Sequence, residues 1–162
     1  GLGEAVPGDL VFEPLLSLPP YALLPEGHPL AGRSSVTAGD LAEWPMVLLD
    51  LPFSADYFLS FFAAEAVSPS IAERTRDMGV MRAMVANGFG YSIANIRFGS
   101  DRAPDGSQMV HVPLEPPFRP MRMGLILPAG PQRRAVAAFL DHCRQTVTAD
   151  LLPGLAAPKA QA

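Results

Sequence analysis

The chain has 162 residues, 49% hydrophobic and 17% charged, enough for one packed domain or two small lobes and too apolar for global disorder. Its formal net charge is −4 and its one lysine is Lys159, in the tail, so the clustered basic residues that bind a phosphate backbone are missing. One cysteine, Cys143, excludes an internal disulfide, and no run reaches the ~20 apolar residues of a membrane span, so no membrane partner is expected.

Leu10–Leu16 reads as a strand in which Pro14 marks an edge or a bulge. Pro19-Pro20 break the chain before Tyr21–Leu24, a short apolar strand of the kind buried in an α/β sheet. After the turn Pro25–Arg33, Thr37 caps a helix beginning near Ala38, with Asp40 in its first turn, where the helix dipole favours an acid. Pro45 ends that helix and Met46–Leu49 is the third strand. Leu51-Pro52-Phe53 forms a loop, and Ser54 is expected to cap a helix over Ala55–Glu65, on which Phe58, Leu59, Phe61 and Phe62 make an apolar face. Ile71–Thr75 reads as a strand, and Asp77 caps a helix that Asn87-Gly88 stops in the left-handed manner.

Tyr91–Ala94 is the next strand, and Ser100–Gln108, with Pro104-Asp105-Gly106, is a loop. Val110–Leu114 and Met121–Leu127 are two further strands. Gly130-Pro131 is expected to open a last helix whose apolar face is Val136, Phe139, Leu140, Cys143 and Val147. Leu152–Ala162 is rich in Pro, Gly and Ala and reads as a disordered tail. Strands alternating with helices give an α/β class with a largely parallel sheet, whose ligands lie at the carboxyl ends of the strands.

The residues offer little to a catalyst. His28, His111 and His142 are isolated from any metal-like partner at ligand spacing, and His28 reads as a turn residue bonded to backbone. Cys143 reads as a buried structural thiol. Asn87-Gly88-Phe89-Gly90 closes a helix and so is no dinucleotide fingerprint. No catalytic residue, metal or cofactor is expected. The candidate ligand-binding groups are at helix starts. Ser54 offers a hydroxyl and two or three free backbone N–H groups to a carboxylate, or else is a plain cap, and Pro52 and Phe53 supply an apolar wall. Thr75 and Arg76 form a second such place; Arg76 either pairs with an anionic ligand or is a surface charge paired with Glu73 or Asp77.

The run Tyr21-Ala22-Leu23-Leu24-Pro25-Glu26-Gly27-His28-Pro29-Leu30-Ala31 resembles the effector-binding domain of LysR-type transcriptional regulators. So do Val36–Leu41 followed by Pro45–Asp50, Arg74-Thr75, the segment Met84–Ile93, and Ala137 with Phe139-Leu140 in the last helix. Together these cover roughly Leu10 to Val147. The resemblance implies a fold like the type 2 periplasmic binding proteins, with two α/β lobes, a cleft between them and two crossover strands as hinge. Residues 1–20 would end the first half of lobe I, 21–110 would form lobe II, 111–150 would return to lobe I, and 151–162 would be the tail. A small acidic or aromatic effector would lie in the cleft against Pro52, Phe53, Ser54, Thr75 and the strand end Ile93 to Asn95, with Arg76 a further ligand-binding candidate from the residues themselves.

The resemblance further implies a cytoplasmic protein acting as a homodimer or tetramer. DNA would be bound only through an N-terminal helix-turn-helix. No such segment is present here, nor the opening strand-helix-strand unit of the first lobe, so the chain is expected to be an N-terminally truncated piece whose open sheet edges favour pairing with a second chain. Asn95 stands where the family often has proline or asparagine, and Gly27 where an acid or alanine is usual. A solute-binding protein of a transport system is the alternative on the same fold.

Overall fold

The computed structural model describes residues 6–116, 118–149 and 151. In chain order it contains β1 (Leu10–Leu18), β2 (Tyr21–Pro25), α1 (Ala38–Ala42), β3 (Pro45–Leu49), α2 (Ser54–Ala64) and β4 (Ser70–Thr75). Then come α3 (Met78–Ala86), β5 (Ser92–Ala94), β6 (Met109–Pro113), β7 (Met121–Pro128) and α4 (Arg134–Thr146). The expected tail Leu152–Ala162 lies outside the described residues.

Five strands form one mixed layer in the order β4-β3-β5-β2-β6. The three-stranded part β5-β2-β6 is antiparallel, β3 and β4 pair in parallel, and a parallel bridge from Met46 to Tyr91 joins the two parts. The expectation of a largely parallel sheet is therefore corrected. Among the described residues only β3-α2-β4 is a crossover unit of two adjacent parallel strands; β2 runs the other way and inserts between β5 and β6, strands that follow it by some 70 and 90 residues of sequence.

β2 and β3 read as apolar runs because both their faces are covered, whereas the edge strand β4, Ser-Ile-Ala-Glu-Arg-Thr, is largely exposed. Ala22 and Leu24, Met46 and Leu48, Ile93 and Val112 face one core, which Leu41 of α1 and Phe58, Phe61 and Phe62 of α2 complete. The alternate residues Tyr21 and Leu23, Val47 and Leu49, Ala94 and Met109 face the other, which Met81 and Val85 of α3 complete. The period of two along each strand thus sorts one hydrophobic sequence into two cores.

Local signals fix the helix ends. Thr37 and Asp40 make a reciprocal capping box at α1, 3.0 Å in each direction, and Glu65 adds a second anion by accepting from Ala38 and Gly39 N–H. Helix α3 closes as a Schellman motif, with Phe89 N–H on Met84 O, Gly88 N–H on Val85 O and Gly88 at φ 83°. Helix α2 closes the same way, with Val67 on Phe62 and Ala66 on Ala63, but its left-handed residue is Ala66 at φ 55°.

The remaining elements leave the sheet. β1 and β7 form a two-stranded antiparallel ribbon running from Leu10 opposite Pro128 to Leu18 opposite Met121, with the irregularity expected of Pro14 falling between Pro14 and Leu16. Helix α4 is tied to it by Arg144 and Glu13 at 3.1 Å. Two expectations for α4 are corrected. It starts at Arg134, not at Gly130-Pro131, because Gly130 turns at φ 94° and Gln132 Nε2 holds that turn by donating to Pro128 O. And Phe139 is 56% exposed, since burial on this helix is confined to Leu140 and Cys143. Helical spacing marks an apolar face; it supplies nothing to cover that face.

Gly90 closes the approach of β5 to β3. Tyr91 N–H donates to Pro45 O at 3.0 Å, and at Gly90, φ 151°, a Cβ would collide with that same carbonyl. Gly90→Ala is therefore expected to lower unfolding stability by about 2–4 kcal/mol, read as a lower urea midpoint at unchanged slope.

Candidate functional site

The direction of the strands brings the loops of interest to one edge. β3, β4 and β5 run the same way, so Asp50, Thr75 and Ala94 end on the same side of the sheet, and Asp50 N–H donates to Thr75 O at 2.8 Å. β2 starts at this edge, with Tyr21 opposite both Ala94 and Pro113. Both links to the β1–β7 ribbon, Leu18–Tyr21 and Pro113–Met121, therefore leave from it. The sequence-derived candidates gather there: the loop Pro52-Phe53-Ser54 before α2, the pair Thr75-Arg76 before α3, and Asn95 after β5.

Asn95 and Tyr57 tie this edge together. Asn95 is 6% exposed; its Nδ2 donates to Leu18 O at 2.8 Å and to the Tyr57 hydroxyl at 3.0 Å. That hydroxyl donates in turn to Arg119 O at 2.7 Å. One short network thus grips the last residue of β1 and the approach to β7. Asn95 Oδ1 is buried without a partner. Burial raises the Tyr57 pKa, so the hydroxyl keeps its proton and remains a donor.

A second polar cluster lies on the α3 face of the same edge. His111 of β6 is buried against the Tyr21 ring, 4.9 Å between centroids, and its Nδ1 meets Asp101 Oδ1 at 3.1 Å. The Tyr21 hydroxyl donates to Ile96 O, and Arg97 pairs with Asp101 at 3.4 Å. Desolvation pushes the His111 pKa down to about 4 against the pull of Asp101, so the ring is neutral at pH 7 and holds the loop after β5 through a Nδ1–H donor.

Individual candidates fare differently. Ser54 is the first residue of α2, not its cap; the capping position falls to Phe53, at φ 65° and ψ −28°, with no side-chain cap bond. Leu51-Pro52-Phe53-Ser54 is a tight turn closed by Ser54 N–H on Leu51 O at 3.2 Å, with proline second and the left-handed residue third, where glycine is usual. Ala55 N–H also goes to Leu51 O, so α2 offers fewer free amides than expected. The Ser54 side chain is half-buried, Pro52 is exposed and Phe53 is 80% exposed.

Thr75 Oγ1 accepts from Asp77 N–H, and Asp77 caps α3 through Val80 N–H at 2.9 Å. Arg76 is exposed and pairs with neither Glu73 nor Asp77; the ion pair at this place is Arg74 with Asp50, at 3.5 Å. Ile93 is fully buried between Ala22 and the phenylalanines of α2, so its side chain is core and its place in the site is withdrawn. His28 is the turn residue expected, its Nδ1 accepting from Leu30 N–H at 3.1 Å and its ring edge-on to Trp44. Cys143 is a buried thiol. Among the described residues no group of three or more His, Cys, Asp or Glu could hold a metal ion. Sequence reasoning missed Tyr57, although its position three residues after Ser54 puts both on one helical face.

A sheet covered on both faces, with its loops gathered at the edge where two crossings leave for a second unit, defines the ligand-binding fold of the periplasmic-binding-protein type. The chain belongs to the LysR family: the model of the LysR substrate binding domain matches residues 1–148. The transcriptional regulator CysB of Burkholderia cenocepacia is 34% identical over 98 residues, 56% of this chain and 31% of that protein. SsuR of the same organism, also a transcriptional regulator, is 31% identical over 87 residues, 52% of this chain and 28% of that protein. The crystal structure of HinK, a LysR family regulator from Pseudomonas aeruginosa, superposes with a TM-score of 0.76 at 33% identity over 86% of this chain and 50% of its own. The BenM effector-binding domain with its effector benzoate shares the fold at a TM-score of 0.71 and 16% identity, covering 93% of this chain and 68% of its own. The chain thus spans about a third of the curated relatives it matches. It is a domain of a regulator family, not of an enzyme family, and no described helix is long and apolar enough to cross a membrane.

Tyr57→Phe removes both the link to Arg119 and one acceptor of Asn95, and is expected to cost about 1–2 kcal/mol by urea denaturation. His111 adds a pH dependence. Its folded pKa of about 4 lies below the ordinary 6.5, so as pH falls the unfolded chain binds the proton first. Stability is expected to be full above about pH 6.5 and to drop between there and pH 4. His111→Leu should flatten that part of the melting-temperature profile.

Proposed function

We propose that this chain is the ligand-sensing module of a LysR-type transcriptional regulator, and that its effector is a small organic acid lying against the carboxyl edge of the sheet. The observation that carries this is the convergence on one edge of three otherwise separate groups: the half-buried Ser54 beside the exposed Phe53, the exposed Arg76 beside Thr75, and the buried Asn95 with a free acceptor oxygen. Arg76 supplies a positive charge that no described acid neutralises, which favours an anionic ligand. Phe53 and Pro52 supply apolar surface for its carbon skeleton. The structure of QuiR in complex with shikimate and that of BenM with benzoate share the fold, and both ligands are ring carboxylic acids.

In this reading residues 21–110 form the complete lobe and the β1–β7 ribbon with α4 belongs to the other. Closing on the effector alters how the lobes sit, and so how DNA-binding heads are spaced in a homodimer or tetramer. Contact with DNA falls to another part of the protein, since this part carries a charge of −4 and one lysine. Its place is the cytoplasm, with the DNA.

A screen of small carboxylic acids by thermal shift, followed by titration calorimetry, tests the reading. Ser54→Ala is expected to weaken a confirmed ligand about 5- to 10-fold, the loss of one hydrogen bond to a charged group. Equal affinity in wild type and variant places the ligand elsewhere.

A further inference from the structure

A cavity of about 640 Å3 lies on the α3 side of the same edge, between the start of α3 and the loop after β5. Arg82 lines it, and this arginine is only 6% exposed. Its Nη2 donates to Ser100 O at 2.6 Å and to Arg102 O at 3.0 Å, and the Phe98 ring covers its guanidinium at 4.7 Å. All three neighbours are uncharged groups, and among the described residues Arg82 has no carboxylate at ion-pair distance. Asp101 acts on it only through space, its oxygens being engaged by His111 and Arg97.

A buried cation without a counter-charge is costly, and a cavity opening beside it is where a counter-charge would be placed. Arg102 also lines the cavity; its carbonyl accepts from Arg82, and its own Nη1 donates to Gly106 O at 2.8 Å. The one acid in the lining, Asp77, caps α3 by accepting from Val80 N–H and keeps its negative charge, and it makes no ion pair with Arg82. Of the charged residues that line the cavity, two are basic, Arg82 and Arg102, and one is acidic, Asp77. Neither Ser54 nor Thr75, Arg76 or Asn95 belongs to it.

We propose that this cavity is a second binding site, distinct from the edge site, which takes a small oxyanion, a carboxylate or a phosphate group, between Arg82 and Arg102. The anion supplies the charge that the fold leaves out and fastens α3 to the loop after β5.

Thermal unfolding of the whole chain is followed while inorganic phosphate or acetate is titrated in at constant ionic strength with chloride. The expected result is a saturable rise in Tm of about 3 °C at tenfold excess over Kd with one of the two anions, the other arm telling which chemistry is preferred. A rise that matches the chloride control with both anions overturns the proposal. Arg102 lies on an exposed loop, so Arg102→Gln should keep the unliganded Tm and weaken the response at least about 5-fold. An unchanged affinity overturns it. Amide chemical shifts during the titration localise the ion: movement at Gly79 and Gly99 supports this cavity, whereas movement at Ser54 and Thr75 without them overturns it.

Discussion

The side-chain amide of Asn95 is the constraint on which the arrangement of this molecule depends. It follows β5, the middle strand of the layer, yet its hydrogen bonds reach Leu18 at the end of β1 and, through Tyr57, the carbonyl of Arg119 before β7. Three segments far apart in sequence are thereby held to one point on the sheet's edge. Within a low-dielectric environment such a network holds its members in place strongly, because each lost partner leaves a buried polar group unpaired. The edge is consequently both where the loops collect and where the ribbon is fastened.

The two cores explain how so short a sheet can present that edge. Residues of β2 and β3 alternate between the phenylalanines of α2 on one side and Met81 and Val85 of α3 on the other. Both helices start at the same edge and point their N-termini toward it, which puts Ser54 and Thr75 on the edge that also holds Asn95. Strand direction, helix placement and polar network agree. The backbone turn at Phe53 is the exception, an aromatic residue where the turn would prefer glycine, and exposed besides. Such a conflict between local preference and global fold is commonly found where a protein contacts something else.

Much of the fold was legible in the sequence. Apolar runs marked the strands, Thr37 and Asp77 marked helix starts and Asn87-Gly88 a helix stop, because these signals act within a few residues. Strand partners were not legible: nothing near Tyr21 says that it lies between Ala94 and Pro113, since the pairing is decided by the whole sheet. The site was half legible. Ser54, Thr75 and Asn95 do meet at one edge, but Ile93 was a strand residue whose parity turns it inward, and Ser54 lost the cap to a left-handed Phe53 that no glycine or asparagine announced. Arg82 and His111 could not be read, because an arginine at helical spacing looks solvated and a histidine between valines looks like packing until the loop over them is seen.

The ribbon has a mechanical consequence. β1 and β7 are joined along most of their length by antiparallel hydrogen bonds, and a Cβ on Gly124 would strike the Glu13 carbonyl, so the two backbones run in close contact. Paired strands of this kind cannot slide past one another without breaking the whole ladder, but they bend together at little cost. Such a ribbon resists shear along its strands and deforms instead by bending and twisting as one unit.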